Sequence, residues 1–251
     1  MRRILFIGLV LVCFTANADA QMSKEEAISN FVQGNLSYKE GDFARSIEMY
    51  EGIIKAGKAS GNLYYNLANA YYRHGDLGKA ILNYERAKRV LPRDGDINFN
   101  YKYVLSKVNL YEGEIGRSWL AGAIKGHVDF YSVDEMFRGI LLLVFILGTL
   151  HLGGLYGRWP KPIVKPAFVV AACLLCIFIG GLLIKMKAQE GRAAVIKSSE
   201  AKFEPKESST THYKLLEGEM IKVLKEDGSW MKIERSDGKL GWLSRENLEK
   251  I

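Results

Sequence analysis

The sequence contains few of the residues that carry catalytic or metal chemistry. It has three cysteines and four histidines among 251 residues, and no histidine has a second ligand at the spacing of a metal site. It also has no glycine-rich phosphate loop, serine elbow or zincin motif. We therefore expect a protein that is not an enzyme and that uses no cofactor or metal ion.

The three cysteines are Cys13, Cys173 and Cys176, so residues 21–136 and 188–251 contain none. No disulfide can therefore stabilise those two segments, even in an oxidising compartment. Cys173 and Cys176 form a C-x-x-C pattern, but they lie in an apolar run, where a thiolate would be costly. This position favours packing over redox chemistry.

The formal net charge of +7 is confined to two regions. Residues 1–20 hold two arginines and one aspartate, and residues 136–189 hold six lysines and arginines and no acidic residue. The basic residues flank apolar runs, so they indicate membrane helices rather than a phosphate-binding surface. We expect no nucleic-acid partner.

The first 20 residues have the pattern of an export signal. Arg2 and Arg3 precede the apolar run Ile4–Phe14, and Ala18-Asp19-Ala20 is a small-x-small cleavage site. We predict that the mature chain begins at Gln21. An uncleaved anchor is the alternative, and it would leave the following domain on the same side of the membrane.

Two further apolar runs, 137–157 and 167–187, are long enough to span a bilayer. The loop between them, 158–166, contains Arg158, Lys161 and Lys165 and no acidic residue. Short basic loops are typical of the cytoplasmic side, so we predict that both soluble parts lie outside the cytoplasmic (inner) membrane of a bacterium. The alternative is a pair of buried helices in a soluble domain.

Residues 21–110 contain two matching segments that lie 34 residues apart. Gly41-Asp42 corresponds to Gly75-Asp76, and Tyr38 and Tyr50 correspond to Tyr72 and Tyr84. In the second copy, apolar residues recur at helical spacing on both sides of the Gly-Asp turn. A 34-residue helix–turn–helix period is that of the tetratricopeptide repeat, which the segment resembles. The alternative is an ordinary helical hairpin that belongs to no repeat family. We also predict a helix at Asp96–Lys107 that closes the stack, because a terminal repeat needs a covering element.

The resemblance implies a partner-binding face formed by the first helix of each repeat. Carried over position by position, that face comprises Phe31, Asn35, Tyr38, Tyr65, Asn66, Asn69, Tyr72, Arg73 and Asn100. Asparagines can hydrogen-bond the backbone of a bound peptide, and tyrosines add contact area. Phe31 and Asp96 stand where carboxylate-clamping repeats have basic or amide residues, so an internal or helical partner segment is expected. The alternative is that these residues only solvate the stack.

Residues 111–136 are predicted to be a juxtamembrane connector, and 188–251 a small all-β domain. Asp227-Gly228 and Asp237-Gly238 separate short apolar runs, which is a strong hairpin signal. The segment resembles the bacterial SH3-type barrel, and the resemblance points to Trp230 as a partly exposed recognition residue. We expect Trp242 in the core. That Trp230 only covers the barrel end is the alternative.

The order of segments resembles the BatE-type proteins of the Bacteroides aerotolerance operon. The chain is thus predicted to be multidomain: an all-α tetratricopeptide solenoid, two transmembrane helices and a small all-β SH3-like barrel. The resemblance implies a membrane-anchored scaffold in an aerotolerance or stress-related envelope complex. The implied partners are von Willebrand A-domain membrane proteins and a MoxR-type ATPase system. The alternative is a peptidoglycan-binding envelope protein.

Overall fold

The computed structural model describes residues 22–108, 119–157 and 159–251. The predicted signal peptide, residues 111–118 of the predicted connector and Arg158 lie outside these residues. Within the described ranges the chain forms a helical stack, three longer or connecting helices and a C-terminal antiparallel sheet. The helices are α1 (Lys24–Glu40), α2 (Phe43–Lys55), α3 (Gly61–His74), α4 (Leu77–Val90), α5 (Gly95–Lys107), α6 (Trp119–Phe130), α7 (Val133–Leu155) and α8 (Lys161–Gln189).

The two Gly-Asp turns separate the helices of each unit, as the sequence predicts. Gly41 and Gly75 end α1 and α3 with φ of 83° and 101°, a left-handed conformation that glycine adopts without steric cost. Asp42 then begins α2 and accepts a hydrogen bond from the Arg45 backbone N–H, at 3.0 Å. Each unit is therefore a helical hairpin.

The predicted closing helix is also confirmed. Asp94 caps α5 by accepting a hydrogen bond from the Ile97 backbone N–H, at 3.0 Å. Ile97, Tyr101 and Val104 are buried at helical spacing on one side of α5. Together with α4 they complete the core of the stack.

The C-terminal domain is one seven-stranded antiparallel sheet with the order β3-β2-β6-β5-β4-β1-β7. Asp227-Gly228 joins β4 to β5 and Asp237-Gly238 joins β5 to β6, as predicted. The last strand, which pairs with β1, is an addition that the sequence patterns did not indicate. The strands are β1 (Arg192–Val195), β2 (Ser199–Lys202), β3 (Thr211–Leu215), β4 (Met220–Asp227), β5 (Trp230–Arg235), β6 (Leu240–Ser244) and β7 (Leu248–Lys250).

Helices α7 and α8 are long and apolar enough to cross a membrane, by length and composition. Only 6% and 11% of their most apolar windows are buried, whereas the core helix of a soluble protein would be mostly covered. Helix α8 begins at Lys161, so it includes residues 161–166 of the predicted loop. Pro162 is tolerated there because the first turn of a helix makes no use of its N–H groups.

Helix α7 is anchored at its beginning. Ser132 and Glu135 form a capping box, in which each side chain bonds the backbone N–H of the other residue. Arg93, which follows α4, pairs with Glu135 at 2.5 Å and donates to the Phe130 carbonyl at 3.0 Å. The end of the helical stack is therefore tied to the start of α7.

Helix α6 lies against α8. The Lys185 ammonium donates hydrogen bonds to the carbonyls of Val128, at 2.8 Å, and Tyr131. These carbonyls belong to the last turn of α6 and the residue after it, where a cation is favoured. The His127 ring also meets Phe178 edge to face, with 5.6 Å between centroids.

Helix α4 is buried nearly all round. Residues 80–85 are all buried, and Gly78 and Ala87 as well, although α2 buries only three residues. A helix that buries every face must be covered on more than one side. Helices α3 and α5 cover one side, and the sheet domain covers the other.

Several direct contacts join α4 to the sheet domain. Glu85 pairs with Arg192 at 3.0 Å, and Arg86 pairs with Glu249 at 2.8 Å. The Ile81 side chain lies against Gly218. A Cβ added to Gly78 would lie 2.7 Å from the Ile196 carbonyl oxygen. Only Glu190 and Gly191 separate α8 from β1, so the sheet is also tied closely to α8.

Gly78→Ala tests this docking. Alanine favours a helix by about 1 kcal/mol over glycine, so a local effect would stabilise the chain. The clash with a backbone carbonyl should instead destabilise it by about 1–3 kcal/mol, because the sheet must shift away from α4. We expect a lower thermal midpoint for the full chain in detergent, followed by circular dichroism.

Gly95→Ala is the matched control, since a Cβ there meets open space at the start of α5. Its midpoint should be unchanged or slightly raised. A Gly78→Ala chain that melts no lower than the Gly95→Ala chain would contradict the docking.

Candidate functional site

The first helices of the successive units, α1, α3 and α5, lie side by side and form one face of the stack. Hydrogen bonds between their side chains connect them along this face. We call it the Asn/Tyr face and define it by Asn35, Asn66, Asn69, Tyr72, Asn100 and Tyr103. It includes five of the nine residues of the stack that the sequence predicts to bind a partner.

A hydrogen-bond pattern repeats along this face with the 34-residue period. The Asn35 Oδ1 atom accepts from the Tyr50 hydroxyl at 2.6 Å and from Asn66 Nδ2 at 3.1 Å. The same atom of Asn69 accepts from the Tyr84 hydroxyl at 2.5 Å and from Asn100 Nδ2 at 3.3 Å. Each asparagine oxygen thus joins the two helices of its own unit and the first helix of the next.

The tyrosine hydroxyls in this network are held as neutral donors. Burial, with smaller effects of neighbouring tyrosines, raises the pKa of Tyr84 well above its ordinary value of 10.0. Burial also raises the pKa of Tyr50. A buried hydroxyl of this kind needs an acceptor, and the asparagine oxygens supply it.

The asparagines therefore support the stack before they bind anything else. Both acceptor positions of the Asn35 and Asn69 oxygens are used. Among the residues that the structure describes, no partner occupies the Nδ2 groups of Asn35 and Asn69 or the Oδ1 atoms of Asn66 and Asn100. These groups are half-buried and can still meet a bound segment.

The predicted aromatic residues are divided between the stack and the surface. Phe31 and Tyr65 are half-buried, and their rings each lie 6.1 Å from the buried ring of the same unit, Tyr50 or Tyr84. Tyr38 packs edge to face on Phe43 at 5.4 Å. These three positions mainly complete the units.

Tyr72 and Arg73 are better placed for recognition. The Tyr72 ring meets the ring of Tyr103 edge to face at 5.9 Å, and the two hydroxyls are 3.5 Å apart. Arg73 is exposed and its guanidinium lies 4.9 Å above the Phe43 ring. Both side chains can reach a segment lying on the Asn/Tyr face.

Two aromatic residues of α5 were not predicted as site residues. Phe99 is 71% exposed and Tyr103 is 44% exposed. They lie 34 residues after Tyr65 and Asn69, so extending the repeat register into the closing helix would have found them. Exposed aromatic side chains of this size are typical anchors of protein interfaces.

In the sheet domain, Trp230 lies on the outer face of β5 and is partly exposed, as expected. The expectation for Trp242 is wrong. It is only partly buried, and the neighbouring Gly241 and Leu243 take the inward positions of β6. Trp242 pairs with Lys232, the residue that shares the outer face with Trp230. The two tryptophans therefore share one surface.

Residues 61–94 match the tetratricopeptide repeat family. The matched segment comprises α3, α4 and the turn that follows, which is the second helical unit. No curated protein matches the chain. Repeats of this kind generally bind proteins, so the match indicates a scaffold for protein–protein interaction.

Asn69→Ala tests the structural role of the asparagines. The variant leaves the buried Tyr84 hydroxyl without an acceptor, so we expect the free energy of unfolding to fall by about 1–3 kcal/mol. Urea denaturation of the full chain in detergent, followed by the helical circular dichroism signal, measures this change. Asn35→Ala should lower the free energy of unfolding by a similar amount, because it removes the acceptor of the Tyr50 hydroxyl.

Asn62→Ala is the matched control on the same helix as Asn69. Asn62 is exposed, and it makes no side-chain hydrogen bond with any residue that the structure describes. We expect a change within about 0.5 kcal/mol, as is usual for surface positions. Equal losses in Asn69→Ala and Asn62→Ala would mean that the repeated network adds nothing to stability.

Proposed function

We propose that this protein is a non-catalytic scaffold, anchored in a membrane by α7 and α8, that binds a protein partner on the Asn/Tyr face. The observation that carries the proposal is the exposure of Tyr103 on this face and of Phe99 one turn before it on α5, next to a segment that matches the tetratricopeptide repeat family. Large exposed aromatic side chains cost solvation free energy unless a partner covers them.

The chemistry of the face suggests the kind of segment that binds. Phe99 and Tyr103 offer an apolar contact, and the exposed side chain of Lys107 places positive charge beside it. Lys107 lies 4.9 Å above the Tyr103 ring. An internal or helical segment with an apolar anchor flanked by acidic residues fits this arrangement.

The setting we propose is an envelope complex of the aerotolerance or stress-related type. The support is the order of segments and its resemblance to the BatE-type proteins. Von Willebrand A-domain membrane proteins and a MoxR-type ATPase system are the partners that this resemblance offers. In the same proposal the C-terminal sheet is an SH3-like barrel that adds a second binding surface around Trp230.

The double variant Phe99→Ser/Tyr103→Ser tests the Asn/Tyr face. Loss of two interface anchors of this kind should reduce captured partner at least about tenfold. Capture is measured by crosslinking the full chain in its native membrane and identifying the products by mass spectrometry. Helical circular dichroism should stay unchanged, because both side chains are exposed.

Leu224→Ser/Leu240→Ser is the control, since it removes two exposed apolar side chains from the sheet domain. Capture should persist in this variant. Undiminished capture by Phe99→Ser/Tyr103→Ser would place the binding elsewhere. If Trp230→Ala instead abolishes cosedimentation with purified cell wall, the wall-binding function replaces the scaffold.

We also propose that both soluble parts lie outside the cytoplasmic membrane. The supports are the predicted export signal and the basic residues Lys161 and Lys165 in the first turns of α8. Protease added to spheroplasts should therefore digest the helical stack and the sheet domain together. Digestion of one part with survival of the other would show that only one helix crosses the membrane.

A further inference from the structure

Helix α1 carries an apolar stripe that nothing covers in the part of the chain that the structure describes. Ile28, Val32 and Leu36 recur every fourth residue, so they lie on one side of the helix. Their exposed fractions are 55%, 49% and 51%. Met22, which precedes the helix, packs towards Asn30 and α2, away from this stripe.

The other units do not repeat this stripe. The positions of Ile28 and Val32 are taken by Asn62 and Asn66 in α3, and the position of Leu36 by the buried Ala70. In α5 the first two positions are also polar. In α3 and α5 these positions lie towards the preceding unit, because Asn66 and Asn100 bond the asparagine of that unit and Ala70 and Val104 are buried. Among the described residues no unit precedes α1, so its three apolar residues at these positions are exposed.

The stripe ends in two opposite charges. Glu25 lies three residues before Ile28, and Lys39 lies three residues after Leu36, so both continue the same side of α1. Both side chains are exposed. Within the described ranges 22–108, 119–157 and 159–251, neither forms an ion pair with another residue. The five positions are symmetric about Val32.

We infer that the α1 stripe binds the α1 stripe of a second copy of this chain, with the two helices antiparallel and a two-fold axis at Val32. In this arrangement Ile28 of each copy contacts Leu36 of the other. Glu25 of each copy pairs with Lys39 of the other, so one such ion pair lies at each end of the contact. A parallel pair would bring like charges together at each end. The charges thus select the antiparallel pair, which is the self-complementary geometry of a symmetric dimer.

The size of the contact sets its strength. One helix from each copy buries less than the roughly 1,200–2,000 Å² of a stable interface. The dimer is therefore weak and depends on concentration. A method that captures a transient contact is needed, rather than one that requires the dimer to survive dilution.

A cysteine at the two-fold axis provides that method. In the full chain with Cys13, Cys173 and Cys176 replaced by serine, Val32→Cys places two thiols opposite each other across the axis. Disulfides need Cβ atoms within about 3.5–4.5 Å, so only close pairing produces a covalent dimer. Mild oxidation in the membrane, read on a non-reducing gel, should give at least about five times more dimer than Ala44→Cys.

Ala44→Cys is a fair control because Ala44 is exposed on α2 and small. Equal dimer yields from the two variants would overturn the inference. A crosslink from Val32→Cys to a product of another mass would also overturn it, because another protein would then be the occupant.

Charge reversal tests the antiparallel direction. In the Val32→Cys background, Glu25→Lys or Lys39→Glu alone turns two attractive pairs into two repulsive ones, and dimer yield should fall about fivefold. Glu25→Lys/Lys39→Glu restores both pairs and should restore the yield. Failure of the double variant to recover would overturn the two-fold arrangement, even if Val32→Cys crosslinks.

Discussion

The burial of α4 on nearly all sides is the constraint on which the other features depend. Consecutive buried residues along α4 require two covers, and the stack and the sheet each supply one. Glu85, Arg86 and Gly78 fix where the second cover lies. Because the sheet occupies the side of the second helices, the face of the first helices stays open. The candidate binding face is therefore a consequence of where the sheet docks.

Asparagine and tyrosine have two tasks in the stack. Their hydrogen bonds recur at the repeat period and join neighbouring units through side chains rather than through apolar contact alone. A polar network of this kind fixes one register between units, since a shift would leave buried hydroxyls without acceptors. The proposed function therefore assigns recognition to other side chains, among them Phe99 and Tyr103, which are 71% and 44% exposed.

Local patterns in the sequence predicted the local structure well. The Gly-Asp turns and the Asp-Gly hairpins depend on neighbouring residues, and both are confirmed. The inward side of β6 was assigned wrongly, because glycine and tryptophan at Gly241-Trp242 give no alternation by which to choose a side. The docking of the sheet on α4 could not be predicted from the sequence. Gly78 is the repeat equivalent of the exposed Ala44 in the first unit, and the two residues differ only by a methyl group, so nothing in the sequence marks Gly78 as a contact. Which asparagines were committed to the network was likewise hidden, because Tyr50 and Tyr84 lie 15 residues away in sequence.

The two-residue link between α8 and β1 gives the molecule a mechanical property. Gly191 is itself held, since its carbonyl accepts from the Val223 backbone N–H at 2.7 Å. The link therefore allows little movement between α8 and β1, and ion pairs hold the sheet domain against α4. A tilt or rotation of α8 must therefore also move β1, and the ion pairs between the sheet domain and α4 oppose a separate movement of the sheet. The short link and the ion pairs thus couple the orientation of α8 mechanically to that of the Asn/Tyr face.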